Sequence, residues 1–339
     1  MNRTTRFLIQ FLKPGFMYRI SSLLLIFSLL LFSSCKSGVQ DSENHLPLGN
    51  DAKVALMILG TIQDGGSPHI GCDSDCCADL FETPDKDRKV TSIGIVDFEN
   101  NKKYLFDATP DITEQMKMLK NFADPASSET PDAIFLTHAH IGHYTGLMYL
   151  GKEAMNSDNV PLFAMPGMKK FLENNGPWDM LVDNQNIKIT ELQNSRGVKL
   201  TDNVKVTPFL VPHRDEYSET VGYKISGPNK KVLFIPDIDK WEKWDRDIKE
   251  EIGKVDYAIV DATFYSGKEL NRRDISEIPH PFIIESMAEF EELPQNEKEK
   301  VIFIHFNHTN PVINPESPEA KEVMNRGFRL AQINDVLEL

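Results

Sequence analysis

The sequence predicts a layered α/β fold, and three observations carry that reading. Short apolar runs of strand length recur along most of the 339 residues. Stretches with helical spacing of apolar residues separate many of them. Five of the apolar runs end in a residue able to bind a metal: Asp107, His138, His213, Asp237 and His305. Open α/β layers bind ligands at the carboxyl ends of their strands, so a shared site there is expected.

The first strand is Lys53 to Leu59, ending at Gly60. A loop rich in Gly and Pro follows, with His69, Cys72, Cys76 and Cys77. Three cysteines within six residues are an odd number, and Cys76 and Cys77 are neighbours, which suits a disulfide poorly. A small structural zinc site from Cys72, Cys76, Cys77 and His69 fits better; a strained disulfide and inert thiols are the alternatives. Strands over Thr91 to Phe98 and Lys103 to Phe106 flank the turn Glu99-Asn100-Asn101. Asp111 caps a helix to Asn121 that carries Ile112, Met116 and Leu119 on one face.

Ile134 to Leu136 then reads as a buried strand. It ends in Thr137-His138-Ala139-His140-Ile141-Gly142-His143. His138 and His140, two apart, point the same way on extended chain. His143 falls where Gly142 to Gly151 opens a helix. Three imidazoles aimed at one point suit zinc, and iron as well. A chance cluster on a solvated turn is the plain alternative.

Pro161 to Ala164 is a strand, and Pro166 opens a helix at its first position. Strands are expected at Ile187 to Leu192, Lys199 to Thr201 and Val204 to Val211, the last running into His213. Thr220 to Ser226 and Lys231 to Ile235 form a hairpin that ends at Asp237. Trp241 to Glu251 is a helix, and Asp256 to Val260 a strand ending at Asp261. Pro281 to Glu291 is a helix following His280. Val301 to Ile304 leads to His305 and His308. Pro318 to Arg326 is a helix, and Leu330 to Leu339 closes with one or two strands.

The N-terminus reads as a targeting segment. Arg19, an apolar run from Leu23 to Phe32, and Ser33-Ser34-Cys35 make a basic, an apolar and a small-residue region in order. Residues 1–35 are thus a lipoprotein-type signal with Cys35 as the lipidated residue; an uncleaved anchor helix is the alternative. Met17 is a second candidate start. Residues 36–51 form a flexible tether and 52–339 the folded domain. The protein is expected to be exported and held at a membrane by a lipid anchor, periplasmic or associated with an outer membrane. With 51 acidic residues against 37 basic and a net charge of -14, no nucleic-acid partner is expected.

These residues together resemble the metallo-β-lactamase superfamily, and within it the pyrroloquinoline quinone (PQQ) synthesis protein B group. The phosphodiesterase and tRNase Z branches are nearby. The resemblance runs from about Lys53 to the C-terminus, through Leu59-Gly60-Thr61 with Asp64-Gly65-Gly66, Asp107 to Ile112, Phe303-Ile304-His305 with Asn307, and Thr309-Asn310-Pro311. It implies a four-layer αβ/βα sandwich with the metal site at one edge. The motif His-x-His-x-Asp-His reads here His138-Ala139-His140-Ile141-Gly142-His143. The resemblance implies that His138, His140 and His213 bind a first metal, that Asp237 bridges, and that His143 and His305 bind a second. Asp107 would orient histidines. His280 resembles the tRNase Z proton donor, with His308 a second candidate. The Cys72 loop resembles the structural zinc loop of the phosphodiesterase and PQQ groups.

Gly142 departs from the motif and offers no ligand. One dominant metal in the histidine cleft is therefore expected, unless a carboxylate such as Asp64 substitutes. The expected activity is hydrolysis of a small ester or phosphodiester-type substrate by water activated on zinc, with Asp237 holding the nucleophile. Iron-dependent oxygenation related to PQQ biosynthesis, and a non-catalytic metal- or quinone-binding role, are the alternatives.

Overall fold

Strand β1 (Val54–Gly60) is buried along its whole length, because both of its faces are covered. Val54, Leu56 and Ile58 face one apolar cluster, and Met57 and Leu59 face another. The same division splits β10 (Lys231–Ile235): Val232 and Phe234 point into the cluster shared with β1, and Leu233 and Ile235 point away from it. A strand buried on both faces reads as a continuous apolar run rather than an alternating one.

The computed structural model describes residues 52–269 and 278–339. Residues 1–51, for which a signal, a tether and lipidation at Cys35 are expected, lie outside the described residues. Among those described, no helix is long and apolar enough to cross a membrane.

Two seven-stranded sheets form the frame. The first has the order β14 (Val336–Glu338), β1, β2 (Ser92–Asp97), β3 (Lys102–Phe106), β4 (Ala133–Phe135), β5 (Val160–Ala164), β6 (Ile187–Glu191). The second has β13 (Arg329–Leu330), β12 (Val301–Ile304), β11 (Tyr257–Asp261), β10, β9 (Val221–Ser226), β8 (Lys205–Leu210), β7 (Val198–Lys199). Each sheet is antiparallel in one part and parallel from β3 to β6 or from β10 to β13.

The inner faces meet in a core where Phe106, Phe135, Tyr223 and Phe234 are fully buried. Phe106 stacks on Phe135 at 4.9 Å and meets Tyr223 edge-on at 5.3 Å. Each such pair adds about 0.5–1.5 kcal/mol beyond its buried area. Helix α1 (Ile112–Ala123) covers the outer face of the first sheet with Ile112, Met116 and Leu119. Ile283 and Met287, from the helix Ile283–Glu289, cover the second, with Ala320 and Val323 from Pro318–Asn325. The result is the helix–sheet–sheet–helix sandwich expected.

Two expected helices are broken. Trp241 to Glu251 is a 3₁₀ turn (Trp241–Lys243) and a short helix (Ile248–Ile252). Asp247 accepts a hydrogen bond from the Lys249 amide and so starts a new helix. Gly142 to Gly151 is a four-residue helix (Ile141–Tyr144) followed by a 3₁₀ segment (Thr145–Leu150). Its backbone bonds outward, the Gly146 amide to Ala108 and the Ala108 amide to His143. A side chain at 146 would strike the Thr109 carbonyl.

Strand direction sets the site. β1 and β3 each run opposite to β2 and so run together, as do β8 and β10 on either side of β9. The carboxyl ends of β1, β3 and β4 gather at one edge, facing those of β8, β10, β11 and β12.

Candidate metal centre

His138, His140, His213 and Asp237 present ligand atoms within 4.8 Å of one another. A second group at the same spacing is Asp64, His143, Asp237 and His305. Asp237 belongs to both. All are buried or nearly so: the side chains of His138, His143, His213, Asp237 and His305 are at most 3% exposed.

The hydrogen-bond partners decide which ring nitrogens are free. Thr137 Oγ1 donates to Asp107 Oδ2 at 2.9 Å, so the contact at 3.0 Å to His138 Nδ1 requires the imidazole to donate. Thr263 Oγ1 donates to Asp261 Oδ1 at 2.7 Å, so His305 Nδ1 donates to it at 2.9 Å. His143 Nδ1 donates to Asp107 Oδ2 at 2.7 Å. His213 Nδ1 donates to Asp239 Oδ1 at 3.2 Å. In each neutral ring Nε2 then carries a lone pair, and each Nε2 faces a carboxylate. His138 and His213 face Asp237 at 3.4 and 3.3 Å, and His143 and His305 face Asp64 at 3.0 and 3.2 Å. His140 is inverted: Nε2 donates to Glu216 at 3.3 Å and Nδ1 faces His138 Nε2 at 2.8 Å.

Lone pairs aimed at carboxylates repel unless a cation stands between them. His213 Nε2 and Asp237 Oδ1 are both buried without a hydrogen-bond partner, a cost of about 1–3 kcal/mol each. The donor set therefore fits a metal ion, with the outer carboxylates and threonines fixing each ring. Without a cation, protons take that place. Burial lowers the basicity of His213, but Asp237 outweighs it and pushes His213 up to about 9. Burial likewise opposes the charge on His143, yet Asp64 and Asp107 hold it well above the ordinary histidine range. His138 is driven well below that range by burial and by His143.

Asp107 accepts from the Thr137 amide and hydroxyl as well as from His143. Asp107 and His305 both hold left-handed backbone, at φ 66° and 71°. Such conformations cost of order 1–3 kcal/mol and cluster at functional sites.

His280 lies beside the cleft, its Nδ1 2.8 Å from Asp261 Oδ2 and 3.1 Å from Asp237 Oδ1. Burial works against its protonation, but Asp261 and Asp237 keep it well above the usual histidine value. Asp261, Asp239 and Thr263 were not expected at the site. The signal for Asp261 was available: it ends the apolar run of β11 just as Asp107 follows that of β3.

Two expectations need correction at the cysteine loop. Cys72, Cys76, Cys77 and His308 form the group there. His69 is not in it: its Nδ1 accepts from the Gly71 amide at 3.1 Å and its ring stacks on His308 at 4.5 Å. His308 is thereby removed from the proton-donor candidates of the cleft. Its Nδ1 is buried without a hydrogen-bond partner. The cysteines are free thiols, with Cys72 and Cys76 sulfurs 3.6 Å apart. That is far beyond a disulfide bond and near the ~3.8 Å between two sulfurs on a tetrahedral zinc.

The sandwich with a histidine- and aspartate-lined edge defines a fold with a metal-binding centre. Residues 102–306 match the beta-lactamase superfamily domain, and the chain belongs to that superfamily, in its metallo branch. Within it the chain is similar to coenzyme PQQ synthesis protein B. The protein of that name from Methylorubrum extorquens (strain PA1) is 23% identical over 309 residues, spanning 84% of this chain and 99% of the relative. That from Pseudomonas fluorescens (strain Pf0-1) is 26% identical over 301 residues, 81% and 97%. Among solved structures, Zn(2+)-bound PqqB from Methylobacterium extorquens superposes with a TM-score of 0.70 at 23% identity, over 84% of this chain and all of that one. A diphosphatase of the PhnP family follows the same fold at 0.57 and 21% identity, over 84% and 97%. So does the short form of human tRNase Z, at 0.51 and 15%, over 84% and 98%.

Proposed function

We propose that the protein is a metal-dependent hydrolase acting on a small ester or phosphodiester-type substrate. The observation that carries this reading is the set of bare imidazole nitrogens aimed at Asp237 from both sheets. His138, His140, His213 and Asp237 would hold zinc or iron, which would supply Lewis acidity and a bound water with its pKa lowered toward about 7. Asp237 accepts a hydrogen bond from the attacking water and orients it. His280, oriented by the contact of its Nδ1 with Asp261 Oδ2 at 2.8 Å, donates a proton to the leaving group. Thr137, Thr263, Asp107 and Asp239 hold the rings in one tautomer, so no reorganisation accompanies the reaction. The cysteine loop holds a structural zinc away from this chemistry.

The test is turnover of an ester and phosphodiester panel by the metal-loaded chain, with and without oxygen. Hydrolysis independent of oxygen and lost in His140→Ala is expected. Turnover that requires oxygen and iron(II), with no hydrolysis, would replace this reading with an oxygenase. Export as a lipoprotein through Cys35 is part of the proposal. Labelled palmitate should enter the wild-type chain and not Cys35→Ala; equal labelling refutes the anchor.

A further inference from the structure

The superfamily motif asks for an aspartate at position 142, and this chain has glycine there. Gly142 lies inside the helix Ile141–Tyr144. Among the described glycines only Gly66 and Gly327 have positive φ, so backbone conformation does not demand glycine at 142. Space does. A Cβ at 142 would lie 2.6 Å from Asp64 Oδ1 and 2.7 Å from both Asp64 Cα and Cγ. The volume that a side chain at 142 would fill is occupied by the carboxylate of a residue 78 positions earlier.

The loop after β1 puts Asp64 there by a fixed route. The Phe306 amide donates to the Thr61 carbonyl at 2.7 Å, and the Gln63 amide donates to the Phe306 carbonyl at 2.9 Å. This short ladder runs beside His305. Gly66, at φ 73°, turns the chain back so that its amide reaches the Gln63 carbonyl at 2.9 Å. Asp64 is left pointing between His143 and His305, its Oδ1 3.0 and 3.2 Å from their Nε2 atoms. Both rings have Nδ1 committed elsewhere, to Asp107 and Thr263.

We infer that Asp64 replaces the missing motif aspartate and completes a second cation site with His143, His305 and Asp237, making the cleft dinuclear. Two imidazoles and two carboxylates suit zinc, iron or manganese. The first site keeps three imidazoles and shares Asp237. This departs from the single dominant metal that Gly142 alone implies. It rests on the reading of the cleft as a metal centre but not on the reaction.

The experiment counts metals rather than turnover. The full chain is loaded with manganese(II), which thiolates bind poorly, and the ions per chain are measured. Paramagnetic resonance then reports whether two ions are coupled. Wild type should hold two manganese ions with a coupled signal, and Asp64→Ala one ion with an isolated signal. Asp64→Asn, close to the native shape, should behave as Asp64→Ala, which guards against a folding defect. Gly142→Asp alone should lose the second ion because its side chain collides with Asp64. A single ion in wild type, or the same count in wild type and Asp64→Asn, overturns the inference. Two ions with no hydrolysis on any substrate would refute the hydrolase reading and leave this one standing. Hydrolysis with one ion would do the reverse.

Discussion

The histidine cleft and the cysteine loop each gather four or more metal-capable side chains, but they are built differently. The cleft draws its residues from the ends of seven strands in two sheets. Its rings are oriented by a further layer of aspartates and threonines. The cysteine loop takes three of its four residues from six positions of irregular chain, where Cys72 and Cys76 are only half-buried. His308 alone comes from elsewhere. A site assembled by strand ends inherits the rigidity of the core and can hold unpaired lone pairs and left-handed backbone at a cost the sandwich outweighs. A site assembled by a local loop has little fold to lean on, and a bound ion becomes part of what shapes it. The first arrangement suits chemistry and the second suits structure.

The sharpest way to break that division is Asp237→Ala. It removes the ligand common to both groups in the cleft. Loss of all cleft metal and of measurable turnover is expected, with one zinc per chain retained by the cysteine loop. Elemental analysis alongside the substrate panel reads both. Loss of the loop zinc as well would show that the two regions are not independent.

A smaller effect is expected from Asp107→Asn. Asparagine tolerates the left-handed backbone at this position and keeps most of the side chain's shape. It removes the charge behind His143 and one fixed acceptor. Changes at such outer partners typically weaken metal binding about 10–100-fold. Competition with a chelator measures this, and the loop zinc should be unaffected. An unchanged cleft affinity would mean that Asp107 serves only to stitch β3 to the turn after β4.

The converse variant is Cys76→Ser. Loss of the loop zinc with a modest fall in melting temperature is expected, while cleft metal and turnover persist. Loss of turnover in step with the loop zinc would place that loop in the active machinery, through the stack of His69 on His308 and the short run from His308 back to His305.

How far these two regions are legible in the sequence differs for the same physical reason. Asp107, His138, His213, Asp237 and His305 are announced by the apolar runs before them, because a strand buried on both faces must be apolar and its end must meet solvent or a ligand. The sandwich follows from those runs and from helices such as Ile112–Ala123 between them. Asp64 carries no such mark. It follows a strand by four residues, within a glycine-rich loop, and only the fold brings it against Gly142. The choice between His69 and His308 is equally hidden. Proximity in sequence favours His69, but its Nδ1 accepts from the Gly71 amide and its ring lies outside the group, while three-dimensional return of the chain after β12 delivers His308. Helix boundaries fail where side chains or outward backbone bonds intervene, as at Asp247 and Gly146.

The subtlest prediction concerns the loop once its metal is removed. Three thiols then crowd together and do not share their protons evenly. Burial raises Cys76, and hydrogen bonding with Cys72 and the charge of Cys77 raise it further, to about 12. Burial also works to raise Cys72, but hydrogen bonds from Cys77, Ser74 and Cys76 more than offset it and bring it below the ordinary thiol value. The thiolate is the nucleophile, and a thiol at about 12 is ionised to only about one part in ten thousand at pH 8. Raising the pH increases the Cys76 thiolate steadily, whereas Cys72 ionises earlier. Iodoacetamide at pH 8 should therefore modify Cys72 well before Cys76 in chelator-treated protein, with the gap narrowing towards pH 11. With the loop zinc in place both should be protected. Mass mapping of the modified peptides gives the order. Equal rates at pH 8 would mean that the loop loses its arrangement when the metal leaves, which would make the ion the organiser of the loop and deepen its contrast with a cleft whose rings are already set.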